Sequence, residues 1–264
     1  MHASEQENLV SVVIPCYNQG EYLRETVLSV LDSTYCPLEV IIVNDGSKDN
    51  SLQAAGALEE EFSEVKVIDQ ENGGVSKARN TGIEAANGSI ILPLDGDDLI
   101  SKDYIEAGVK VLKNDPEVKV VYSQGVKFDE SGEKNWNLKP FSRHQLALDN
   151  MIFCSALFRK EDWLKAGKYS VEMRFMGRED WEFWIKMLKD GGEVVQLPFI
   201  GFYYRLTPNS KRKKTSSAAI KRERIAFLNS RHAAYFSREL NGPLRFRRSW
   251  SKPYNTMLKW LGIL

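Results

Sequence analysis

Three carboxylates stand within four residues, at Asp95, Asp97 and Asp98, directly after an apolar run that ends at Leu94. Uncompensated carboxylates at this spacing repel one another, and hard oxygen ligands of this kind suit Mg²⁺ or Mn²⁺. Such ions typically take one or two carboxylates and complete their shell with water and substrate phosphates. The segment therefore predicts a divalent-metal site for a phosphate-bearing ligand. The alternative is an acidic loop that caps a helix starting near Ser101.

A second acidic pair, Glu179-Asp180, begins a segment whose apolar side chains recur at helical spacing. That stripe consists of Trp181, Trp184, Ile185 and Leu188. It predicts a helix that its aromatic side chains anchor against a sheet. A carboxylate in the first turn of such a helix could act as a general base and take the proton from an acceptor hydroxyl. Because the helix dipole also favours acidic residues at this end, capping is the alternative.

Two further segments could contact a nucleotide. Asp45 follows an apolar run, and its carboxylate could accept a hydrogen bond from a base N–H or a ribose hydroxyl; the alternative is an Asx turn. Gly73-Gly74 precedes Lys77 and Arg79, so we expect a helix N-terminus with free amides and nearby cations that would suit a diphosphate. The alternative here is an ordinary helix start with solvated basic residues.

The elements that must position these side chains follow from hydrophobic periodicity. Strands are predicted over residues 9–14, 38–43, 65–68, 89–94 and 118–122, with helices between them over 21–31, 49–61, from 75 and over 101–113. Strands alternating with helices predict a parallel sheet, and ligands collect beyond the carboxyl ends of its strands. Residues 125–150 resemble a variable connection. Order is expected again over 151–158 and in two late strands, 193–197 and 200–206.

Length and composition limit the architecture. The 264 residues, 42% hydrophobic and 27% charged, suit one α/β core rather than two large independent domains. No apolar run reaches the roughly 18 residues that a membrane span needs, and the start of the chain lacks a signal-peptide pattern. Cys16, Cys36 and Cys154 are widely spaced and indicate reduced thiols. We therefore expect a cytoplasmic protein. Zinc-site, hydrolase, P-loop and dehydrogenase motifs are missing, and no nucleic-acid partner is expected.

Charge is distributed unevenly along a chain of zero formal net charge. Residues 211–264 hold fourteen lysines and arginines against Glu223 and Glu239, a net charge of +12, so residues 1–210 carry −12. This asymmetry predicts a boundary near Ser210. The basic C-terminal extension, 211–264, could dock on the anionic inner face of the plasma membrane, where a lipid-linked acceptor would be found. Alternatively, it is a helical extension that packs on the acidic main body.

Five ordered segments resemble the pattern of glycosyltransferase family 2, whose enzymes have the GT-A fold. They are residues 10–18, 44–47, 72–80, 94–98 and 179–181. The resemblance covers roughly residues 8–210 and implies an α/β fold with a Rossmann-like, mostly parallel sheet flanked by helices. It assigns residues 1–210 to one GT-A domain, with a nucleotide-sugar-binding half over about 8–100 and an acceptor-binding half over about 101–210.

The resemblance also implies a role for each site residue. Asp180 would be the catalytic base, and Asp95 and Asp97, with Asp98 beside them, would hold Mn²⁺ or Mg²⁺ on the diphosphate. The residues implied at the donor are Pro15, Tyr17, Asn18, Asp45, Gly74, Lys77, Arg79, Asp95 and Gly96, and those at the acceptor are Glu179, Trp181, Tyr204 and Arg205. The sequence departs from the family pattern at Asn44, where the family commonly has Asp, and at Thr207, where it has His.

These assignments imply an inverting, metal-dependent transfer of a sugar from a nucleoside-diphosphate sugar, with a UDP-sugar favoured, to a hydroxyl of a glycan or lipid-linked acceptor. The setting would be the assembly of bacterial surface polysaccharide or glycan, by a cytoplasmic enzyme peripheral to the plasma membrane. Two other classes stay open. A nucleotidyltransferase of similar sheet architecture would not need an acid like Asp180 at the acceptor side. A catalytically silent nucleotide-sugar-binding module would tolerate Asp180→Asn.

Overall fold

The computed structural model describes residues 9–174, 177–207 and 217–264. Its strands are β1 (Val10–Cys16), β2 (Leu38–Asp45), β3 (Val65–Gln70), β4 (Ile90–Pro93), β5 (Leu99–Ile100), β6 (Val118–Asp129), β7 (Gly132–Trp136), β8 (Phe158–Arg159) and β9 (Glu193–Arg205). Its α-helices are α1 (Gly20–Leu31), α2 (Ser51–Glu61), α3 (Val75–Ala85), α4 (Tyr104–Asn114), α5 (Arg143–Leu148), α6 (Lys160–Ala166), α7 (Glu179–Leu188), α8 (Ala218–Arg231), α9 (Ala233–Leu240) and α10 (Ser251–Trp260).

The first sheet has the order β3-β2-β1-β4-β8, and its first four strands are parallel. β8 pairs with β4 in the antiparallel direction. Every residue of β1 is buried because both faces of the sheet are covered, as expected for a continuous apolar run. The predicted parallel sheet with intervening helices is confirmed. Chain order reverses between β1 and β4, so the crevice for a ligand opens at their carboxyl ends.

The second sheet, of order β5-β9-β6-β7, departs from the expectations. Residues 125–150 are largely ordered, because β6 continues to Asp129, turns into β7, and α5 follows. The two strands expected over 193–206 are one strand, β9, which pairs in parallel with β6 through register shifts. One of those shifts falls where the strand passes Pro198 and Phe199, the break between the two predicted segments, so pairing continues on both sides of it. Of residues 151–158, only Phe158 belongs to a strand; the others form a mostly buried loop.

The aromatic stripe of α7 is confirmed as a core face. Trp181, Trp184, Ile185 and Leu188 are fully buried. Trp184 packs edge-on against Phe158, with ring centroids 5.9 Å apart, and Trp181 Nε1 donates to the carbonyl of Leu146 at 2.6 Å. Burial of side chains this large fixes the helix axis, and with it the position of the acidic residues in the first turn.

The C-terminal helices differ in how far they pack on the main body. Helices α8 and α9 pack on the main body, where Leu228 and Phe236 join the common hydrophobic core. The Tyr235 hydroxyl donates to the carbonyl of Arg143 at 2.6 Å, and His232 Nε2 lies 2.9 Å from a buried Glu182 oxygen. Helix α10 instead leaves large apolar side chains exposed, Trp260 at 85%. The boundary expected near Ser210 falls among residues 208–216, outside the described ranges.

None of the helices in the described ranges has the length and apolarity needed to cross a bilayer.

Candidate active site

The crevice between β1 and β4 brings together the two segments that follow these strands. Gln19, at the start of α1, donates from Nε2 to Asp97 Oδ1 at 2.7 Å. A Cβ on Gly96 would lie 3.1 Å from Gln19 Oε1, so the loop after β4 passes close to α1. Gln19 was not predicted as a site residue, because a glutamine at the start of a helix carries no signal of its own. It orients one carboxylate of the metal-site candidate.

A buried arginine joins the two acidic motifs. Arg79, on α3, donates from Nη2 to Asp95 Oδ1 at 2.7 Å and from Nη1 to Glu179 Oε1 at 2.9 Å. Its side chain is only 1% exposed. Burial by itself would lower the pKa of Arg79, but the charges of Asp95 and Glu179 outweigh that effect and raise the pKa well above its usual value. Arg79 is therefore not the solvated cation of an ordinary helix start.

Asp98 lies beneath the loop, fully buried. Its Oδ1 accepts the backbone N–H of Arg205 at 2.9 Å, and its Oδ2 has no hydrogen-bond partner within the described part of the chain. Burial, followed by the charges of Asp97 and Asp95, raises the pKa of Asp98 well above its usual range. Asp98 thus supports the loop from below, and Asp95 and Asp97 are the partly exposed carboxylates.

The carboxylates that follow β4 suit a hard cation that takes few protein ligands. Among residues 9–174, 177–207 and 217–264, no cluster of three or more His, Cys, Asp or Glu could hold a metal by itself. Mg²⁺ and Mn²⁺ sites commonly need only one or two carboxylates, since phosphates and water supply the rest. Asp98 is buried and its raised pKa favours the neutral form, so Asp95 and Asp97 are the carboxylates that a metal could reach. The residues therefore fit a metal that arrives with a diphosphate.

Asp45 closes the loop that precedes α3. Its carboxylate accepts the backbone N–H of Gly73 at 2.7 Å and of Gly74 at 2.8 Å, together with Gln70 Nε2 at 2.8 Å. The expectation of free amides at Gly73-Gly74 is therefore wrong, because Asp45 occupies both of them. Gly74 has a φ of +87°, and a Cβ there would lie 2.6 Å from Arg174 Cγ. Contact of Asp45 with a nucleotide base stays a prediction.

The carboxylate of Asp180 is held in the first turn of α7. Its Oδ2 accepts from Asn150 Nδ2 at 2.6 Å, and its Oδ1 accepts the backbone N–H of Trp181 at 2.9 Å. Burial, with the neighbouring charge of Glu179, raises the pKa of Asp180 to about 6. A carboxylate with this pKa is ionised at neutral pH and basic enough to accept a proton in a transition state. Asn150 carried no signal in the sequence.

Cys154 lies among the site carboxylates rather than in the apolar core. Its Sγ is 3.7 Å from Asp95 Oδ2, and burial raises the pKa of the thiol well above its usual value. The charges of Asp95 and Asp180 act in the same direction, so the thiol stays neutral. The buried loop after α5 thus supplies a neutral donor to Asp95, which an isolated cysteine in the sequence did not indicate.

The remaining predicted residues occupy varied positions. Pro15 is buried within β1. Asn18 joins the ends of β1 and β2, because its backbone N–H donates to Ser47 Oγ at 3.1 Å. Tyr17, which follows β1, is partly buried, and Lys77, in the first turn of α3, is exposed.

On the acceptor side, the structure alters two expectations. Trp181 is fully buried, so its indole supports that side from below instead of facing an acceptor. Arg205 donates from Nε to the carbonyl of Asp97 at 2.8 Å and from Nη2 to Glu25 at 2.6 Å. It therefore clamps the loop after β4 to α1. Tyr204 is partly buried against Trp136, with ring centroids 5.2 Å apart.

Replacing the buried arginine tests this arrangement. Arg79→Met leaves Asp95 and Glu179 without their shared cation, and we expect the free energy of unfolding to fall by about 3 to 5 kcal/mol. The measurement is urea denaturation with a comparison of midpoints and m-values. Arg24→Met is the matched control. Arg24 donates from two nitrogens to the carboxylate of Glu61, at 2.6 and 2.9 Å, but its side chain is 54% exposed. Equal losses in the two variants would contradict a special role for the buried bridge.

Proteins of similar sequence include several glycosyltransferases. The chain is 40% identical over 124 residues to glycosyltransferase GlyG of Streptococcus pneumoniae serotype 4, a match that covers 47% of this chain and 41% of GlyG. It is 34% identical over 161 residues to the uncharacterized glycosyltransferase YibD of Escherichia coli K12, covering 61% of this chain and 44% of YibD. These matches span less than half the length of either relative.

Solved structures show the same fold. TarS 1-349 of S. aureus in complex with UDP-GlcNAc superposes with a TM-score of 0.68 at 18% identity, over 95% of this chain and 75% of that one. Mannosyltransferase PcManGT of Pyrobaculum calidifontis, in complex with GDP-Man and Mn²⁺, gives 0.64 at 17% identity, over 97% and 75%. The architecture is thus that of GT-A glycosyltransferases. The family model of glycosyl transferase family 2 matches residues 11–179, well over half of the chain, and the chain therefore belongs to that family.

Proposed function

We propose that this chain transfers a sugar from a nucleoside-diphosphate sugar to an acceptor hydroxyl with inversion at the anomeric carbon. The observation that carries the proposal is the pair of hydrogen bonds from Arg79 to Asp95 and Glu179. Through this one guanidinium, the carboxylates after β4 and the first turn of α7 border the same crevice. A donor diphosphate beside Asp95 would therefore have its sugar within the range of Asp180.

Each residue has a distinct task in this mechanism. Asp95 and Asp97 would hold Mn²⁺ or Mg²⁺, which when bound neutralises the charge that develops on the leaving diphosphate. Asp180 takes the proton from the acceptor hydroxyl while that oxygen attacks the anomeric carbon in line with the departing diphosphate. Asn150 and the backbone of Trp181 hold the Asp180 carboxylate in place. A single displacement needs no covalent enzyme intermediate, and it inverts the anomeric centre.

Similar proteins support the substrate classes. TarS has been solved with UDP and with UDP-GlcNAc, and PcManGT with GDP-Man and Mn²⁺. We therefore favour a UDP-sugar, with a GDP-sugar as the second donor to test. The chain is also 29% identical over 186 residues to the chondroitin synthase of Pasteurella multocida, a match covering 69% of this chain and 19% of the synthase. That likeness favours polysaccharide or glycan assembly as the setting of the reaction.

A donor assay tests the metal-dependent transfer. Release of nucleoside diphosphate from UDP-, GDP- and TDP-sugars is followed with Mn²⁺ or Mg²⁺ present, then after chelation by EDTA. We expect release from one donor class, its loss on chelation and its recovery when metal is restored. Asp97→Asn should raise the metal concentration needed for half-maximal rate, because it removes a ligand charge. Release unaffected by EDTA would refute the metal's role, and no release from any donor would refute the transfer.

The pH dependence of the rate tests Asp180 as the base. The base must be ionised, so kcat/KM should fall about tenfold per pH unit below a pKa of about 6 and be level above it. Asp180→Asn should lower kcat by about 10² to 10⁴ and remove this acidic limb. Asp190→Asn, an exposed carboxylate beyond the end of α7, is the control and should leave the profile unchanged. Full activity in Asp180→Asn would contradict its role as the base. Donor binding without turnover in the unaltered chain, retained in Asp180→Asn, would instead indicate the catalytically silent binding module.

We also propose that helix α10 docks on an anionic membrane surface. Its segment exposes large apolar side chains beside basic ones, a composition suited to the lipid interface. The exposed apolar residues are Trp250, Tyr254, Met257, Trp260 and Leu261. The basic residues of the same segment include Arg247, Lys252 and Lys259. A lipid-linked acceptor would reach the crevice from that surface.

Vesicle co-sedimentation tests the docking. Because α8 and α9 belong to the common core, a point variant is preferable to truncation. Trp260→Ser should weaken binding to vesicles of anionic phospholipid roughly tenfold, since burying one large apolar side chain is worth about 1.5 to 3 kcal/mol. Leu164→Ser, which alters an exposed leucine on α6, is the control. Undiminished binding of Trp260→Ser, or equal binding to neutral vesicles, would contradict the docking.

A further inference from the structure

A cluster of cations lies near the proposed base. We name Arg178, Lys221, Arg224 and Arg248 the acceptor-side cation cluster. Arg178 immediately precedes α7, Lys221 and Arg224 belong to α8, and Arg248 lies in the turn before α10. The cluster therefore joins the first turn of the Asp180 helix to the basic C-terminal segment.

One carboxylate, Asp149, holds two members of the cluster. Its Oδ1 accepts from Arg178 Nη1 and, at 2.7 Å, from Arg248 Nη1. Both guanidinium groups also lie over the ring of Trp181, at 5.9 Å for Arg178 and 4.4 Å for Arg248. The buried indole thus forms the floor on which these two cations rest.

The cluster carries more positive charge than its nearest carboxylate neutralises. Asp149 is the acid that both Arg178 and Arg248 contact, whereas Glu179 is bonded to Arg79. Arg248 is only 13% exposed, and its Nε has no hydrogen-bond partner in the described ranges. Burial lowers the pKa of Arg248 to about 10; Asp149 opposes this effect, and Arg178 and Arg224 add to it. An anionic ligand that neutralised these like charges would stabilise the cluster.

The position of Asp149 connects the cluster to the chemistry. The next residue, Asn150, donates to Asp180 Oδ2 at 2.6 Å. The segment that holds the arginines therefore also orients the carboxylate proposed as the base. Asp180 and Glu179 are the acids that face Arg224 from α7, together with Asp149 from the loop after α5. An anionic group bound at the cluster would consequently lie close to the hydroxyl that Asp180 deprotonates.

We propose that the acceptor-side cation cluster binds a phosphate group of the acceptor, either a phosphodiester or a diphosphate. A guanidinium group can donate two parallel hydrogen bonds to a pair of phosphate oxygens. A group with more than one negative charge also neutralises several cations better than a single carboxylate does. The inference rests on the proposed function, since it names the chemical class of the acceptor for the same site. It adds the requirement that the acceptor carry a phosphate group, which neither the metal carboxylates nor Asp180 implies.

Binding of inorganic phosphate to the full chain tests the cluster without any turnover. Arg178→Gln changes a side chain that is 40% exposed, so the fold should tolerate it, and it should weaken phosphate binding by about tenfold. Asp149→Asn removes the competing carboxylate and should tighten phosphate binding, a gain that misfolding cannot produce. Arg231→Gln, which removes a half-exposed arginine bound to Glu172, is the matched control. An affinity for phosphate that is unchanged in both Arg178→Gln and Asp149→Asn would overturn the proposal.

Transfer assays then separate the sources of the phosphate. Three acceptors are compared: a sugar on a short-chain lipid diphosphate, an oligomer of polyol phosphate, and a neutral oligosaccharide. Arg178→Gln should raise the KM of the phosphate-bearing acceptor about tenfold while leaving the KM of the donor unchanged. The acceptor whose KM responds identifies the source. An equal increase for the neutral oligosaccharide would overturn the proposal. Failure of the proposed function would appear differently, as no nucleoside-diphosphate release in the unaltered chain, and the phosphate titration would still test the cluster.

Discussion

The site depends on one buried cation placed between two groups of like charge. The acids after β4 and the acids that start α7 would repel each other across the crevice. Neither group is free to move apart, because one follows a buried strand and the other begins a helix with a buried face. Arg79 offers a planar group with several donors and satisfies one carboxylate from each side. Arg79 can therefore keep these acids near one another without an ion bound, and its guanidinium sets the separation of Asp95 from Glu179.

Around this bridge, side chains connect the loops at the sheet edge. Asp45 binds the loop that starts α3, Gln19 binds Asp97, and Arg205 ties the loop after β4 to β9 and α1. Each contact joins segments far apart in the chain. A site supported in this way would be organised before the proposed donor binds, which would lower the cost of aligning donor and acceptor. This organisation includes a buried acid, because the carboxylate of Asp98 lies under the loop and accepts the backbone N–H of Arg205.

Different parts of the basic C-terminal segment make different contacts, which the net charge of the segment did not reveal. Helices α8 and α9 complete the hydrophobic core beneath α7, and Arg231 pairs with Glu172 on the main body. Arg248 and Arg224 turn towards Asp149 and the first turn of α7. Helix α10 projects its apolar side chains outward. Some of the basic residues of the segment thus pair with the main body, and others lie near the first turn of α7.

Local pattern by itself determined much of this protein. Continuous apolar runs predicted β1 and β2, and helical spacing predicted the core face of α7. The order of the acidic motifs along the chain predicted a shared sheet edge. These patterns can be read from the sequence because each arises between residues that are near in sequence. Tertiary structure alone decided the rest. The pairing of β6 with β9, the burial of Arg79 between Asp95 and Glu179, and the approach of Cys154 and Asn150 to the site acids join residues distant in the chain. Each of these residues is ordinary in its local sequence, so its role is set by the neighbours that folding brings to it.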